Sequence, residues 1–313
     1  GRLNYSLYSR YNFTVSFRRD GSSKFADNNK FANFASGAFS WRASEEEFIK
    51  KLNFFDNLKF NISYGQTGNQ GISAYQTQVY LSTSNYPFGG SLSSGFSEST
   101  WRGALNPNLK WETTDQYNVG IDMSIFDSRL DLTVEYYRKK TRDLLQKVGI
   151  PSSTGFDIMW TNSGNIINEG LEISANYDVI DRDDFKWNLN ANISFNKNEV
   201  VALIDNADLF GNAAPSYFSN DRSYVLRVGE EVGLFYGYEY AGVYQGGDVP
   251  TGTQTLAGGV AGDPLFTDTD SNGEITEADR TIIGNPNPDF TWGITNSFKY
   301  KNFDLKIFFQ GSH

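Results

Sequence analysis

A run of oxygen-bearing side chains at residues 268–279, DTDSNGEITEAD, has the spacing of a calcium-binding loop. Such loops take ligands from positions 1, 3, 5, 7, 9 and 12, with a backbone carbonyl at position 7, and glycine at position 6 permits a sharp turn. Position 6 is Gly273, and position 12 is Asp279, which has a shorter arm than the usual glutamate. The six candidate Ca²⁺ ligands are Asp268, Asp270, Asn272, Glu274, Thr276 and Asp279.

This loop has two interpretations. In the first, a structural Ca²⁺ stiffens a long extracellular loop. In the second, the loop is an acidic turn held by hydrogen bonds from Asx side chains to nearby backbone N–H groups. No helix pattern flanks residues 268–279, so an EF-hand is not expected and the loop would simply join two strands. The sequence leaves both interpretations open.

A second set of candidates consists of aromatic residues in a long link rich in glycine and serine. Exposed aromatic rings can stack on sugar rings or on peptide side chains, which makes these residues candidates for substrate contact. They can equally pack the loop itself or meet a partner protein. The candidates are Tyr75, Tyr86, Phe88 and Trp101.

The composition argues against most catalytic chemistry. The 313 residues include no cysteine, and the single histidine is His313. A thiolate site, a disulfide framework, a Ser-His-Asp triad and a His-ligated zinc are therefore not expected. The formal net charge of -10 argues against broad binding to nucleic-acid phosphates. We expect neither an enzyme nor a nucleic-acid-binding protein.

The elements that must position these loops are strands. Apolar and polar residues alternate with a period of two, and successive side chains of a strand point to opposite faces. Several alternating runs reach about nine or ten residues, the length of a tilted strand that crosses a bilayer. The polar face carries mostly Asn, Ser and Thr, whereas a solvent-facing sheet would carry more Lys and Glu. Alternating segments include residues 11–18, 58–64, 117–125, 130–136, 171–177 and 187–195.

The predicted strands are joined by connections of two lengths, short turns and long links. Each chain segment between two connections is predicted to be a strand. Short turns at one edge and long loops at the other are typical of an outer-membrane β-barrel. Residues 44–52 predict one short helix at the rim, with Ser44 as its N-cap. Tight turns are expected at 127–128, 181–184 and 301–302, and long links at about 65–116, 141–165, 197–234 and 246–289.

Several short motifs resemble those of the SusC/RagA family of TonB-dependent outer-membrane transporters. They occur in the family's order and extend over nearly the whole chain. The motifs are FRRDGSSKF at 17–25, ISYGQTGNQ at 62–70, NPNLKWETT at 106–114, NSGN at 162–165 with NEGLE at 168–172, and IGNPNPDF at 283–290.

The resemblance implies an all-β fold, namely a portion of a transmembrane antiparallel β-barrel with long extracellular loops in the bacterial outer membrane. The complete barrel would have about 22 strands around a plug. Residues 1–313 would then belong to one barrel domain, with the plug and the final strands outside this chain. No linker or change of composition indicates a second domain.

The resemblance also implies a function and partners. The whole protein would import oligosaccharides or peptides delivered by a SusD-like surface lipoprotein. The TonB–ExbB–ExbD system would supply the energy through the plug. Two alternatives remain at this point: a passive porin or adhesin built on a barrel, and a soluble β-sandwich module that binds glycans. A soluble sandwich predicts shorter strands with a charged outer face.

Overall fold

Strands dominate the chain in the computed structural model, which describes residues 1–74, 77, 81–98, 103–211, 222–256 and 259–313. One short α-helix, α1 (Glu47–Lys50), lies among these described residues. Short 3-10 helices occupy Ala43–Glu45, Ser152–Thr154, Ile204–Asn206 and Glu277–Asp279. No helix in the described stretches has the length and apolarity needed to cross a membrane.

The strands range from short loop segments to ladders of more than a dozen residues. The first ten are β1 (Arg2–Leu7), β2 (Tyr11–Gly21), β3 (Phe31–Arg42), β4 (Phe55–Asn69), β5 (Leu81–Phe88), β6 (Ser91–Glu98), β7 (Glu112–Ile125), β8 (Leu130–Arg142), β9 (Leu145–Gly149) and β10 (Ile158–Asn162). The others are β11 (Asn165–Asp181), β12 (Phe185–Ala202), β13 (Leu209–Gly211), β14 (Tyr224–Leu226), β15 (Leu234–Tyr238), β16 (Tyr240–Val243), β17 (Thr253–Thr255), β18 (Pro264–Thr267), β19 (Arg280–Gly284), β20 (Phe290–Tyr300) and β21 (Phe303–Ser312).

One sheet contains ten strands, in the order β1-β2-β3-β4-β7-β8-β11-β12-β20-β21. Its register places apolar residues opposite one another: Phe39 lies opposite Phe13 on one side and Ile62 on the other, and Ile62 lies opposite Val119. Because the side-chain period of a strand is two, this register collects the apolar rows on one face and the polar rows on the other.

The apolar face of this sheet is the more exposed one. On β2, Phe13 and Val15 are exposed, whereas Thr14 and Ser16 are half-buried. A sheet in water buries its apolar face under another layer. The exposed apolar rows therefore suit contact with lipid, and they contradict the soluble β-sandwich alternative.

Short and long connections alternate along the ten-stranded sheet, as predicted. Short ones join β7 to β8, β11 to β12 and β20 to β21, through residues 126–129, 182–184 and 301–302. Because neighbouring strands are antiparallel, alternate connections fall at the same edge, so the short turns share one edge. The long connections at the other edge include residues 70–111, 143–164 and 203–289.

The two long links predicted at about 197–234 and 246–289 belong to a single connection of the large sheet, because the strands that form between them do not join that sheet. β15 and β16 lie there, but they belong to two small sheets with the orders β13-β14-β15-β19 and β16-β18-β17. Register shifts occur between Phe235 and Tyr236 and between Tyr240 and Gly242, so the two-residue period is broken. The whole of 203–289 is therefore one connection of the large sheet.

The chain divides into two compact units. Gly1–Lys197 with Asp289–His313 forms the first, and Asn198–Pro288 forms the second. The first unit holds the ten-stranded sheet, apart from the last residues of β12, together with the hairpins β5–β6 and β9–β10. The second unit holds the two small sheets and the candidate calcium loop.

The rim helix forms where the sequence predicts it, but Ser44 is not its N-cap. α1 begins at Glu47, and Ser44 lies inside the preceding 3-10 turn. Glu46, which precedes α1, accepts hydrogen bonds from Arg10 Nη1 (3.0 Å), the Tyr11 hydroxyl and Trp41 Nε1 (3.3 Å). The start of α1 is therefore set by the contacts of Glu46 with β2, β3 and the turn before β2. No side-chain hydrogen bond caps the helix at Glu46.

Candidate functional site

The candidate calcium loop connects β18 to β19, and three of its predicted ligands come together. The carboxylates of Asp268, Asp270 and Asp279 lie with one oxygen each within 4.8 Å of one another. Asp279 has no exposed surface and Asp268 has 9%, while Asp270 is exposed. The loop therefore presents an acidic cluster of oxygen donors, the donor type that Ca²⁺ prefers.

The carboxylate of Asp279 is held by the backbone of its own loop. Its Oδ2 accepts from the Thr276 N–H at 2.8 Å, and its Oδ1 accepts from the Thr269 N–H at 2.9 Å and the Asp270 N–H at 3.5 Å. These hydrogen bonds, the one from Thr276 foremost, hold the pKa of Asp279 below its usual range despite the opposing effect of burial. Asp279 is thus ionised over a wide pH range.

Asp268 closes the other end of the loop. Its Oδ2 accepts from the Gly273 N–H at 2.8 Å, and its Oδ1 accepts from the Asn272 N–H at 3.1 Å. Gly273 has φ +87°, a left-handed conformation in which a side chain would be strained. The glycine predicted for the sharp turn is therefore required by the backbone that delivers these N–H groups.

Two of the remaining predicted ligands also accept hydrogen bonds from backbone N–H groups of the loop. The side-chain oxygen of Asn272 accepts from the Glu274 N–H at 2.7 Å. The hydroxyl of Thr276 accepts from the Ala278 N–H at 3.2 Å and forms a capping box with Asp279. The structure thus contains the turn held by side-chain-to-backbone hydrogen bonds. It also brings together three of the carboxylates that the calcium interpretation requires. Calcium binding remains a prediction.

The aromatic candidates for substrate contact lie in or near the β5–β6 hairpin. Tyr86 and Phe88 lie on β5, but their side chains are not among those described. Tyr75 and Trp101 lie outside the described residues. On β6, Leu92 is exposed. The role of all four candidates remains a prediction.

A buried apolar cluster at the long-link edge is the feature that sequence reasoning missed. We call it the loop-base cluster. Partly buried Ala32, Leu145 and Trp160 pack against its members. The cluster joins residues from β3, from the links after β2 and β4 and from the segment before β7, and Leu145 and Trp160 of the link after β8 pack against it. It therefore fixes the bases of successive long connections. Its buried members are Phe25, Phe34, Ile72, Leu109 and Trp111.

Hydrogen bonds from polar side chains also stabilise the bases of these long connections. The Asn162 amide donates to the carbonyl of Lys110 at 2.8 Å and to that of Asp143 at 2.9 Å, and its oxygen accepts from the Lys110 N–H at 2.8 Å. Glu112 accepts from the Asn69 amide at 3.0 Å and from the Leu145 N–H at 3.1 Å. These bonds link the segment before β7 to the connections on both sides of it.

Four of the motifs that carried the resemblance contribute residues to the loop-base cluster or to its immediate neighbours. Phe25, Gly68, Trp111 and Asn162 come from four different motifs. A Cβ at Gly68 would collide with the ring of Phe34, which explains the glycine in its motif. In the sequence, the signal that could have indicated this cluster was the occurrence of aromatic residues close to glycines in these motifs. Only the structure shows that the Phe34 ring packs against Gly68.

Comparison with known proteins identifies the family. The family model described as "TonB dependent receptor-like, beta-barrel" matches residues 1–257. The chain belongs to the TonB-dependent receptor β-barrel family. The resemblance found in the sequence motifs is therefore confirmed.

Relatives within this family are similar over the full length of the chain. TonB-dependent receptor P3 of Formosa agariphila is 46% identical over 318 residues, which cover 100% of this chain and 31% of that protein. TonB-dependent receptor SusC of Bacteroides thetaiotaomicron is 35% identical and is covered over 30% of its length. The chain thus spans about a third of the relatives it matches.

Solved structures of the RagAB complex have the same fold. The structure of the RagAB peptide transporter has a TM-score of 0.78 at 27% identity, and the match covers 99% of this chain and 32% of that one. The RagAB peptide importer in the "open-open" state has a TM-score of 0.80 at 27% identity, with the same coverage.

Family membership explains the exposed apolar face of the large sheet. The ten strands are a portion of a transmembrane antiparallel β-barrel in the outer membrane, so the apolar rows face lipid. The polar rows face the enclosed interior, and the long connections lie on the extracellular side. The predicted fold class and location are confirmed.

Proposed function

We propose that the full-length protein is an energy-dependent importer of oligosaccharides or peptides across the outer membrane. The observation that carries this proposal is the sorting of side chains on the ten-stranded sheet, with exposed apolar rows on one face and hydrogen-bonded polar rows on the other. On the polar face, Asp122 accepts from the Asn61 amide at 2.7 Å and from the Thr133 hydroxyl at 3.1 Å. Such a wall suits a hydrated passage or a polar plug.

The relatives and the family resemblance support the proposed substrate class and partner. The name of the RagAB peptide importer supports peptides, and oligosaccharides enter the proposal through the resemblance of the sequence motifs to the SusC/RagA family. The proposal includes a SusD-like lipoprotein that delivers substrate at the extracellular edge, and action of TonB–ExbB–ExbD on the plug. It assigns residues 1–313 to one barrel domain, with 203–289 as its largest extracellular connection, and it assigns them no catalytic step.

Uptake by cells that express the full-length protein tests the energy requirement. We expect internalisation of labelled oligosaccharides or peptides to stop when a protonophore collapses the proton gradient or when TonB is deleted. A small solute that enters through general porins serves as the control and should be unaffected. Uptake that continues without energy would support the passive porin, and surface retention without internalisation would support the adhesin.

We also propose that Ca²⁺ binds the carboxylates of Asp268, Asp270 and Asp279. Three acidic groups within 4.8 Å repel one another, and a bound cation would relieve this repulsion. The ion would stiffen the β18–β19 connection and would take no part in transport chemistry.

A further inference from the structure

A row of cations follows the outward face of β8 near the long-link edge. Tyr136, Arg138 and Lys140 are exposed at alternate positions, and half-buried Arg142 continues the row. Four of the five residues at 138–142 (RKKTR) are cationic, although the whole chain carries a net charge of -10. This local concentration of positive charge is opposite to the charge of the protein.

The row begins where the lipid-facing apolar surface ends. Tyr136 lies opposite Val119 and Leu171, which are both exposed. Farther along β8, Arg138 lies opposite Tyr117 and Glu169. Aromatic residues of barrels mark the boundary between hydrocarbon and headgroups. The cations therefore lie at headgroup level on the extracellular side.

The charges in this row are only partly neutralised. Arg142 contacts Asp115 at 2.6 Å, and Asp115 also accepts hydrogen bonds from the Tyr64 hydroxyl (3.0 Å) and the Gln66 amide (2.8 Å). Arg138 Nε lies 3.6 Å from the Glu169 carboxylate, which also accepts a hydrogen bond from the Tyr136 hydroxyl at 3.2 Å. Within the described part of the chain, the Lys140 ammonium has no hydrogen-bond or ion-pair partner.

We propose that Arg138 and Lys140 bind the phosphate of a lipid headgroup in the outer leaflet. Arg138 offers the fork of N–H donors that fits phosphate oxygens, and Lys140 adds a flexible point charge. The ring of Tyr136 contacts the lipid below the phosphate. The site depends on the outer-membrane location and not on the proposed transport.

Titration of the detergent-solubilised full-length protein, followed by native mass spectrometry, tests this site. The probe is short-chain phosphatidic acid, and the comparison ligands are the matching diacylglycerol and inorganic phosphate. We expect Arg138→Gln/Lys140→Gln to bind phosphatidic acid about 25-fold more weakly, at roughly five-fold per cation near an anionic headgroup. Glu169→Gln should bind it more tightly, since it frees Arg138.

Two controls keep the result interpretable. Lys299→Gln/Lys306→Gln makes the same change of charge at exposed positions on the polar face, and should bind like wild type. Arg138→Lys/Lys140→Arg keeps the charge and should retain binding, which separates loss of the site from loss of folding. Equal affinity of wild type and the Gln variant, equal binding of diacylglycerol, or equally tight binding of inorganic phosphate would each overturn the proposal.

Discussion

Asp279 is the buried carboxylate on which the 268–279 loop closes. Backbone N–H groups of Thr269, Asp270 and Thr276 surround it and favour its ionised form. Because Asp268 and Asp270 lie within 4.8 Å, folding of the loop gathers negative charge in one place. The carboxylate that accepts hydrogen bonds from the loop backbone thus also adds to the negative charge on which the proposed Ca²⁺ site depends.

Removal of the two other carboxylates tests calcium binding. The full-length Asp268→Ala/Asp270→Ala variant should lose about one Ca²⁺ per chain, because these side chains supply two of the six ligand positions. The Asp183→Ala/Asp248→Ala variant is the matched control, since both residues are exposed and carry the same charge. Metal analysis after equilibrium dialysis measures the difference. Unchanged calcium content in the first variant would refute the site.

The lowered pKa of Asp279 also predicts a pH dependence. The folded pKa lies below the unfolded value of about 3.9, so the stabilisation by Asp279 is fully present above that value and is lost as pH falls through the folded pKa. Asp279→Asn, which places an amide against the backbone donors, should therefore speed proteolysis of the loop at neutral pH. With pepsin at pH values below the folded pKa, wild type and variant should be cleaved at similar rates. A constant difference at all pH values would contradict this account.

At the scale of elements, close contact between neighbouring strands explains why glycine occurs at a position for which the alternation of apolar and polar residues gives no reason. A Cβ at Gly170 would lie 2.5 Å from the Phe195 carbonyl oxygen and 2.6 Å from the Tyr137 hydroxyl. The Tyr137 hydroxyl donates to the Asn196 side chain at 2.8 Å across the same place. The glycine in the NEGLE motif is thus needed for an aromatic residue to cross from β8 toward β12.

Adjacent substitutions on β7 test the assignment of its two faces. Val119 is 49% exposed and lies on the apolar face, whereas Asn118 points to the polar face and donates to the Ser63 hydroxyl at 3.0 Å. Val119→Arg should destabilise the folded full-length barrel by about 1 kcal/mol, the cost of a cation on the lipid face near the headgroup boundary that Tyr136 marks. Asn118→Arg is the control and should cost less. Urea titration in lipid vesicles measures both, and an equal cost would contradict the assignment.

At the scale of the whole molecule, the loop-base cluster connects long links that are far apart in sequence. The Trp111 indole N–H donates to the Lys30 carbonyl at 3.3 Å, although 81 residues separate the two. Its ring lies 5.4 Å from that of Phe25 and 5.9 Å from that of Phe34. The extracellular edge of this unit therefore has its own small core, separate from the lipid-facing surface.

Truncation of Trp111, which is 7% exposed, tests this core. Trp111→Ala should cost about 3–5 kcal/mol through lost burial and a cavity. We expect faster cleavage in residues 22–30 and 143–164 of the full-length protein, because the cluster anchors both links. Leu92→Ala, at an exposed position on β6, is the control and should leave cleavage unchanged. Limited proteolysis with peptide mapping gives the rates. Unaltered cleavage of both links in Trp111→Ala would exclude the anchoring role.

The sequence by itself determined the long strands, their two faces and the alternation of short and long connections. A period of two and the turn residues are local properties, and the tight turns at 127–128 and 301–302 follow from them. It also located the acidic loop at 268–279, since ligand spacing within a loop is local. Tertiary structure decided the start of α1, the placement of β15 and β16 in small sheets, and the loop-base cluster. These depend on contacts such as Trp111 with Lys30, whose partners only folding brings together.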